Sequence, residues 1–116
     1  GAVLHGCRVG RNAMVGMNAV VMDGAVVGAE SIVAAMSFVK AGMVIPPRSM
    51  VMGTPAKVMR ALTDEDIKWK SFGTHQYHQL TTRSLNTMRE VDAYTEIEPN
   101  RPAFDFTGTG GHAPKK

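Results

Sequence analysis

The sequence predicts a mainly β fold wound as a solenoid, and two observations carry that expectation. An aliphatic residue returns every six positions at Val3, Val9, Val15, Val21, Val27, Val33, Val39, Ile45 and Val51, without a missed beat. The residue four places after each is mostly small: Cys7, Ala13, Ala19, Ala25, Ser31, Ser37 and Ser49, with Met43 and Pro55 departing. Internal repetition at a fixed period sets architecture before local propensity does. A period of six matches neither the 3.6 of a helix nor the alternation of a polar-turned hairpin ladder. It matches a chain that bends at the end of each hexapeptide, so that three hexapeptides close one triangular coil.

Nine hexapeptides then make three coils over residues 1–58, spaced about 4.8 Å apart by strand-to-strand hydrogen bonding. Positions 18 apart stack, Val3 over Val21 over Val39 and Val9 over Val27 over Ile45. β-branched side chains suit such a ladder because their restricted χ1 leaves little entropy to lose. All nine aliphatics are expected to be buried, each contributing roughly 1.5–3 kcal/mol. The small residues and the glycines at 10, 16, 24, 28 and 42 are expected at tight corners. The period does not give the hand of the coil.

Met52 to Lys57 breaks the repeat with Gly53 and Pro55, and a charged segment follows. Residues 59–97 read as helical. Thr63 before Asp64, Glu65 and Asp66 predicts a helix start, with acids favoured in the first turn by the helix dipole. Gly73 predicts its end. A second helix is expected over about 74–91, with Tyr77, Leu80, Thr81, Ser84, Leu85, Met88 and Val91 on one arc lying against a solenoid wall. Residues 98–116, Pro- and Gly-rich, read as a flexible tail. Gly108 to Gly111 follows no strand and opens no helix, so it is not read as a phosphate loop.

Composition excludes more than it assigns. The net charge is +3, with basic residues scattered and without aromatic interleaving, so nucleic acid is not an expected partner. No apolar run is long enough to span a membrane. The lone Cys7 in a small-residue slot suits a reducing cytoplasm. Eight of the nine methionines lie between Met14 and Met59, mostly off the inward positions, and read as a subunit interface. The chain opens at Gly1, inside a hexapeptide, which predicts earlier coils upstream.

Among the histidines, His112 falls in the tail, while His75 and His78 stand three apart on a helix and read as polar surface. His5 lies at an outward wall position in the most regular part of the chain. One histidine does not make a zinc site, which takes about three protein ligands.

The strings His5-Gly6-Cys7, Val15 to Ala25, Ser31 to Lys40 and Gly53-Thr54-Pro55-Ala56-Lys57 resemble one subfamily of hexapeptide-repeat proteins. Trp69-Lys70, Gly73-Thr74-His75, Tyr77, Gln79 and Glu98-Pro99 extend the likeness to roughly residue 102. That subfamily comprises the phenylacetic acid degradation protein PaaY and the carnitine operon protein CaiE, relatives of γ-class carbonic anhydrases. The resemblance implies a left-handed parallel β-helix with C-terminal α-helices packed along it, a homotrimer, and zinc sites between subunits. His5 matches the second of two family histidines standing five apart, a metal ligand. The other two ligands would fall before Gly1. Tyr77 matches a tyrosine near that site and is the candidate catalytic residue.

The implied activity of the parent protein is zinc-dependent hydrolysis. Its substrate would be a coenzyme A thioester of phenylacetate catabolism, or carbon dioxide in a γ-carbonic-anhydrase-like reaction. A coenzyme A-dependent acyltransferase using a histidine base is the alternative, and a non-catalytic trimeric scaffold is the third. This stretch, with one ligand of three, is expected to hold no zinc or other cofactor by itself and to be inactive alone. Its open first-coil edge is expected to pair with another chain, for instance by end-to-end stacking of trimers.

Overall fold

The computed structural model describes residues 1–97, 99 and 100. The glycine-rich stretch with Gly108 to Gly111 and His112 lies outside the described residues. Two compact units divide the chain, Gly1–Asn86 and a second beginning at Thr87.

The first unit opens with eight two-residue strands, one per hexapeptide: β1 (Val3–Leu4), β2 (Arg8–Val9), β3 (Met14–Val15), β4 (Val20–Val21), β5 (Val26–Val27), β6 (Ile32–Val33), β7 (Phe38–Val39) and β8 (Val44–Ile45). Then come β9 (Ser49–Met52), β10 (Lys57–Ala61) and one helix, α1 (Asp64–Thr87). The strands form three walls, ordered β1-β4-β7, β2-β5-β8 and β10-β9-β6-β3. Pairing between coils is parallel and steps by 18 from β2 onward, as in Val9 with Val27 and Val27 with Ile45, and by 17 between β1 and β4. The edge pair β1–β4 sets Val3 beside Val20. The expected stacking of Val3 on Val21 is thus corrected: Leu4 stands beside Val21, and Val3 N–H bonds Ala19 O, 16 residues on, where Arg8 N–H bonds Ala25 O, 17 on.

Val21, Val27, Val33, Val39, Ile45 and Val51 are wholly buried, and with Ala19, Ala25 and Ala56 they make the core. The expectation of nine buried aliphatics fails for the first coil. Val3 is 52% exposed and Val9 43%, and Val15 is half-buried. The cause is position: β1, β2 and β3 each have a neighbouring coil on one side only.

Two of the small-residue slots do more than fit a corner. Ser31 Oγ donates to the Pro46 carbonyl at 2.8 Å and accepts from Ser49 N–H at 3.1 Å, tying one coil to the next. Ser37 Oγ accepts from Gly53 N–H at 3.3 Å. The corners themselves fall into two kinds. Gly24 and Gly42 adopt positive φ, whereas Gly10, Gly16 and Gly28 lie where a Cβ would strike the backbone of the coil beneath. Asn12, Glu30 and Arg48, 18 apart, also adopt positive φ of 53–58°. Asn tolerates that region; Glu and Arg are unusual there.

The break at Gly53 is a reversal. β10 runs antiparallel back along β9, pairing Lys57 with Met52 and Ala61 with Ser49, with a bulge between Val58 and Arg60. α1 follows, started by a reciprocal cap. Asp66 N–H donates to Thr63 Oγ1 at 3.2 Å, and Thr63 N–H donates to Asp66 Oδ2 at 2.9 Å. This is a capping box with aspartate in the third position. Arg60 holds the same carboxylate at 2.6 and 3.1 Å.

The Arg60 guanidinium, then the Thr63 N–H and hydroxyl, keep the Asp66 carboxyl well below the usual carboxylate range. A depressed carboxyl stabilises the fold above its unfolded-state pKa, and that contribution is lost as pH falls through the folded value. Asp66→Asn is therefore expected to lower the melting temperature at pH 7 by a margin that shrinks in acid. Thermal melts at pH 7 and pH 2 test this; an equal difference at both pH values would contradict it.

Two expectations for the helical segment are corrected. Gly73 does not end a helix: α1 runs unbroken through it for 24 residues. An interior glycine costs about 1 kcal/mol but stops a helix only where it turns left-handed. The apolar stripe does not lie on a wall either, since Tyr77 is 72% exposed and Leu85 81%. The reason is length. The Leu62 N–H already bonds the third-coil Arg48 carbonyl, and by Lys70 and Ser71 the helix has reached first-coil Asn12. Three coils rise only about 10 Å from first to last. A 24-residue helix runs about 36 Å.

Candidate functional site

His5 follows β1 at the end of its wall, where the 17-residue step of the β1–β4 pair sets Gly6 opposite Asp23 and brings the Asp23 side chain beside His5. His5 Nδ1 and Asp23 Oδ2 lie 2.9 Å apart, with both side chains mostly exposed. Gly6 makes the approach feasible. A Cβ there would come within 2.4 Å of Asp23 Oδ1, and the backbone at Gly6 is left-handed, φ 54°. Gly24 N–H donates to Gly6 O at 2.8 Å and fixes the coil spacing at this corner. The result is an imidazole oriented by a carboxylate. With Nδ1–H donated to Asp23, the Nε2 lone pair is presented outward for a metal or a proton.

The other predicted residues stand apart from this pair. Tyr77 is exposed on α1, and among the described residues no hydrogen bond or ion pair joins it to His5. Cys7 is half-buried against the core and unpaired with any other cysteine. His75 accepts from the Gln79 amide at 3.0 Å; with His78 it lines a cleft between α1 and a solenoid corner. Asp23 is brought to His5 by the stacking of the first two coils, and nothing local in the sequence links the two residues.

His5 has the chemistry of one zinc ligand, an imidazole whose second nitrogen is held by a carboxylate. Among the described residues no group of three or more His, Cys, Asp or Glu side chains could hold a metal ion. No described helix is long and apolar enough to cross a membrane.

Residues 6–41 match the family "Bacterial transferase hexapeptide (six repeats)". The chain is 54% identical over 107 residues to the carnitine operon protein CaiE of Citrobacter koseri, covering 92% of this chain and 54% of that protein. It is 49% identical over 116 residues to CaiE of Escherichia fergusonii, covering 100% and 58%. The chain therefore spans little more than half the length of these relatives. Among solved structures, a Bacillus cereus protein whose given name proposes an acetyltransferase aligns with a TM-score of 0.69 and 37% identity, over 72% of this chain and 50% of that one. A hexapeptide transferase family protein from Anaplasma phagocytophilum aligns with a TM-score of 0.68 and 35% identity, over 71% and 49%. Six-residue frame, parallel coils and half-identity to CaiE converge: the chain belongs to the hexapeptide-repeat family, in its CaiE-type branch, and folds as a left-handed parallel β-helix.

Proposed function

We propose that the full-length protein hydrolyses coenzyme A thioesters at a zinc ion, with His5 as one of the ligands and the others supplied from outside the described residues. The observation that carries this is the His5–Asp23 pair. A carboxylate on the far nitrogen fixes the tautomer and ring orientation of a ligating histidine and raises its basicity. When bound, zinc supplies Lewis-acid activation of water. Asp23 holds the proton on Nδ1, and the exposed rim of the wall leaves room for an acyl group. Phenylacetyl thioesters, or carbon dioxide, are the substrates proposed for the zinc site, and a trimer in the reducing cytoplasm is the proposed assembly. Tyr77 is proposed to approach the site only across a subunit boundary, because on its own chain it is exposed.

A second reading, acyl transfer from coenzyme A with His5 as general base, is favoured by the likeness to the Bacillus cereus protein named for that activity. The same dyad serves it, Asp23 orienting and His5 Nε2 taking the proton of an acceptor hydroxyl or amine.

The test uses full-length protein purified without chelator. Zinc per subunit is measured by elemental analysis, and thiol release from phenylacetyl coenzyme A is followed with and without an acceptor. His5→Ala is expected to lose the zinc and at least about 100-fold in rate. Asp23→Asn is expected to weaken zinc binding about 10–100-fold, the usual effect of removing such a carboxylate. His5→Ala protein with undiminished zinc and rate would sink the assignment. Metal-free activity that requires an acceptor would favour transfer.

A further inference from the structure

We propose a second ligand site, for a phosphate-bearing small molecule, in the cleft between α1 and the corner formed by Asn12, Glu30 and Arg48. The cleft has a volume of about 810 Å³ and is lined by Arg11, Asn12, Glu30, Arg48, His75 and His78 among others. That size suits a small ligand. It lies at the β2–β3 corner, away from the wall end that carries His5.

Charge decides what it would hold. Arg48 is already engaged, by Asp64 and by Glu30 at 3.7 Å. Arg11 has no carboxylate within ion-pairing distance among the described residues. Beside it lies a second cation. Lys70 is 2% exposed, and its Nζ donates to the backbone carbonyl of Asn12, a cleft residue. Burial pushes the Lys70 ammonium below its ordinary value, with Glu30 opposing. Lys70 thus lies behind Asn12, satisfied by its carbonyl, and does not itself line the cleft. The charged side chains that line the cleft are Arg11 and Arg48 against Glu30, a surplus of one positive charge, with Asp64 pairing Arg48 from outside the lining.

His75 and His78 add two imidazoles from the helix side, at i and i+3, so they present to the same cleft. A phosphate can take a forked guanidinium on two oxygens and still turn a further oxygen to the imidazoles, whereas a carboxylate has only two oxygens, in one plane, and the fork engages both. An occupied site would bridge the first coil to α1 through Arg11 and His78, alongside the Asn12 Nδ2–H bond to Ser71 Oγ at 3.0 Å. The cleft would thus clamp the helix to the solenoid.

Inorganic phosphate and acetate are the probes, titrated at fixed ionic strength while the Arg11 and His78 side-chain resonances are followed by NMR. Saturable binding of phosphate, with acetate at least about 10-fold weaker, is expected. Arg11→Gln should reduce phosphate affinity about 10-fold or more, the scale of one charge-assisted hydrogen bond. Glu30→Gln should increase it, and His5→Ala should leave it unchanged, which separates this site from the hydrolytic one. No saturation by 20 mM phosphate, an unchanged affinity in Arg11→Gln, or equal binding of acetate would overturn the proposal.

Discussion

Val27→Asp is expected to abolish folding. Val27 is wholly buried in the middle coil, flanked by Val9 above and Ile45 below in its own wall. The core cluster that packs around it is made of apolar side chains. Burying an unpaired polar group costs several kcal/mol, and an ionised one far more. The whole stability of a domain this size is about 5–15 kcal/mol. Val9→Asp, in the identical slot of the repeat, is expected to be much milder in this chain, because Val9 is 43% exposed. Circular dichroism and thermal melts of the two variants check the pair. A folded Val27→Asp protein with an unchanged melting temperature would show that the repeat frame is misassigned.

The second large effect comes from glycine, where three positions separate three causes. At Gly28 a Cβ would stand 2.4 Å from Pro47 N and 2.6 Å from Ile45 O, both backbone atoms of the next coil. Neither can move without opening the coil spacing, so Gly28→Ala should cost about 3 kcal/mol or more, the upper range for overpacking. At Gly42 a Cβ meets nothing within 4 Å, but φ is +69°. Gly42→Ala should cost only the left-handed penalty of roughly 1–2 kcal/mol. At Gly73, interior to α1, a Cβ again meets nothing, and Gly73→Ala should stabilise by about 0.5–1 kcal/mol. Urea titrations of the three variants should give that order. A Gly28→Ala variant as stable as wild type would mean that the coils are spaced more loosely than their hydrogen bonds indicate.

Much of this fold could be read from the chain because the six-residue aliphatic beat is a direct image of the coil. The walls, the three coils and the buried slots of Val21 to Val51 follow from it, as does the Thr63 start of α1. What escaped reading depends on neighbours in space. Val9 and Val27 look alike in the repeat, and only their place in the stack separates an edge from a core, while Val3 also loses its slot because Leu4 stands beside Val21. Glu30 and Arg48 carry no local sign of positive φ, since nothing in a Glu or Arg side chain asks for it. β10 was missed because Gly53 and Pro55 signal a break without saying which way the chain leaves it. The Gly73 stop failed because a helix ends where the backbone turns, and packing of Lys70 and Ser71 on Asn12 carries it past the weak position. For the site, resemblance singled out His5, while the dyad with Asp23 emerged only when the coils were stacked.

The stacking has a further consequence for what chain length encodes. Every wall offers an inward aliphatic at the same phase, so a six-residue shift would slide one wall's valine under another's with little loss to the core. The corners are not interchangeable. One column is Gly6, Gly24 and Gly42; another is Asn12, Glu30 and Arg48; a third holds Asn18 and Met36. A slip of one hexapeptide would leave the prism filled while moving Asp23 off the column of His5 and Glu30 off that of Arg48. The interior is thus a degenerate code, written alike on three faces, whereas chemistry is addressed by which corner lies over which.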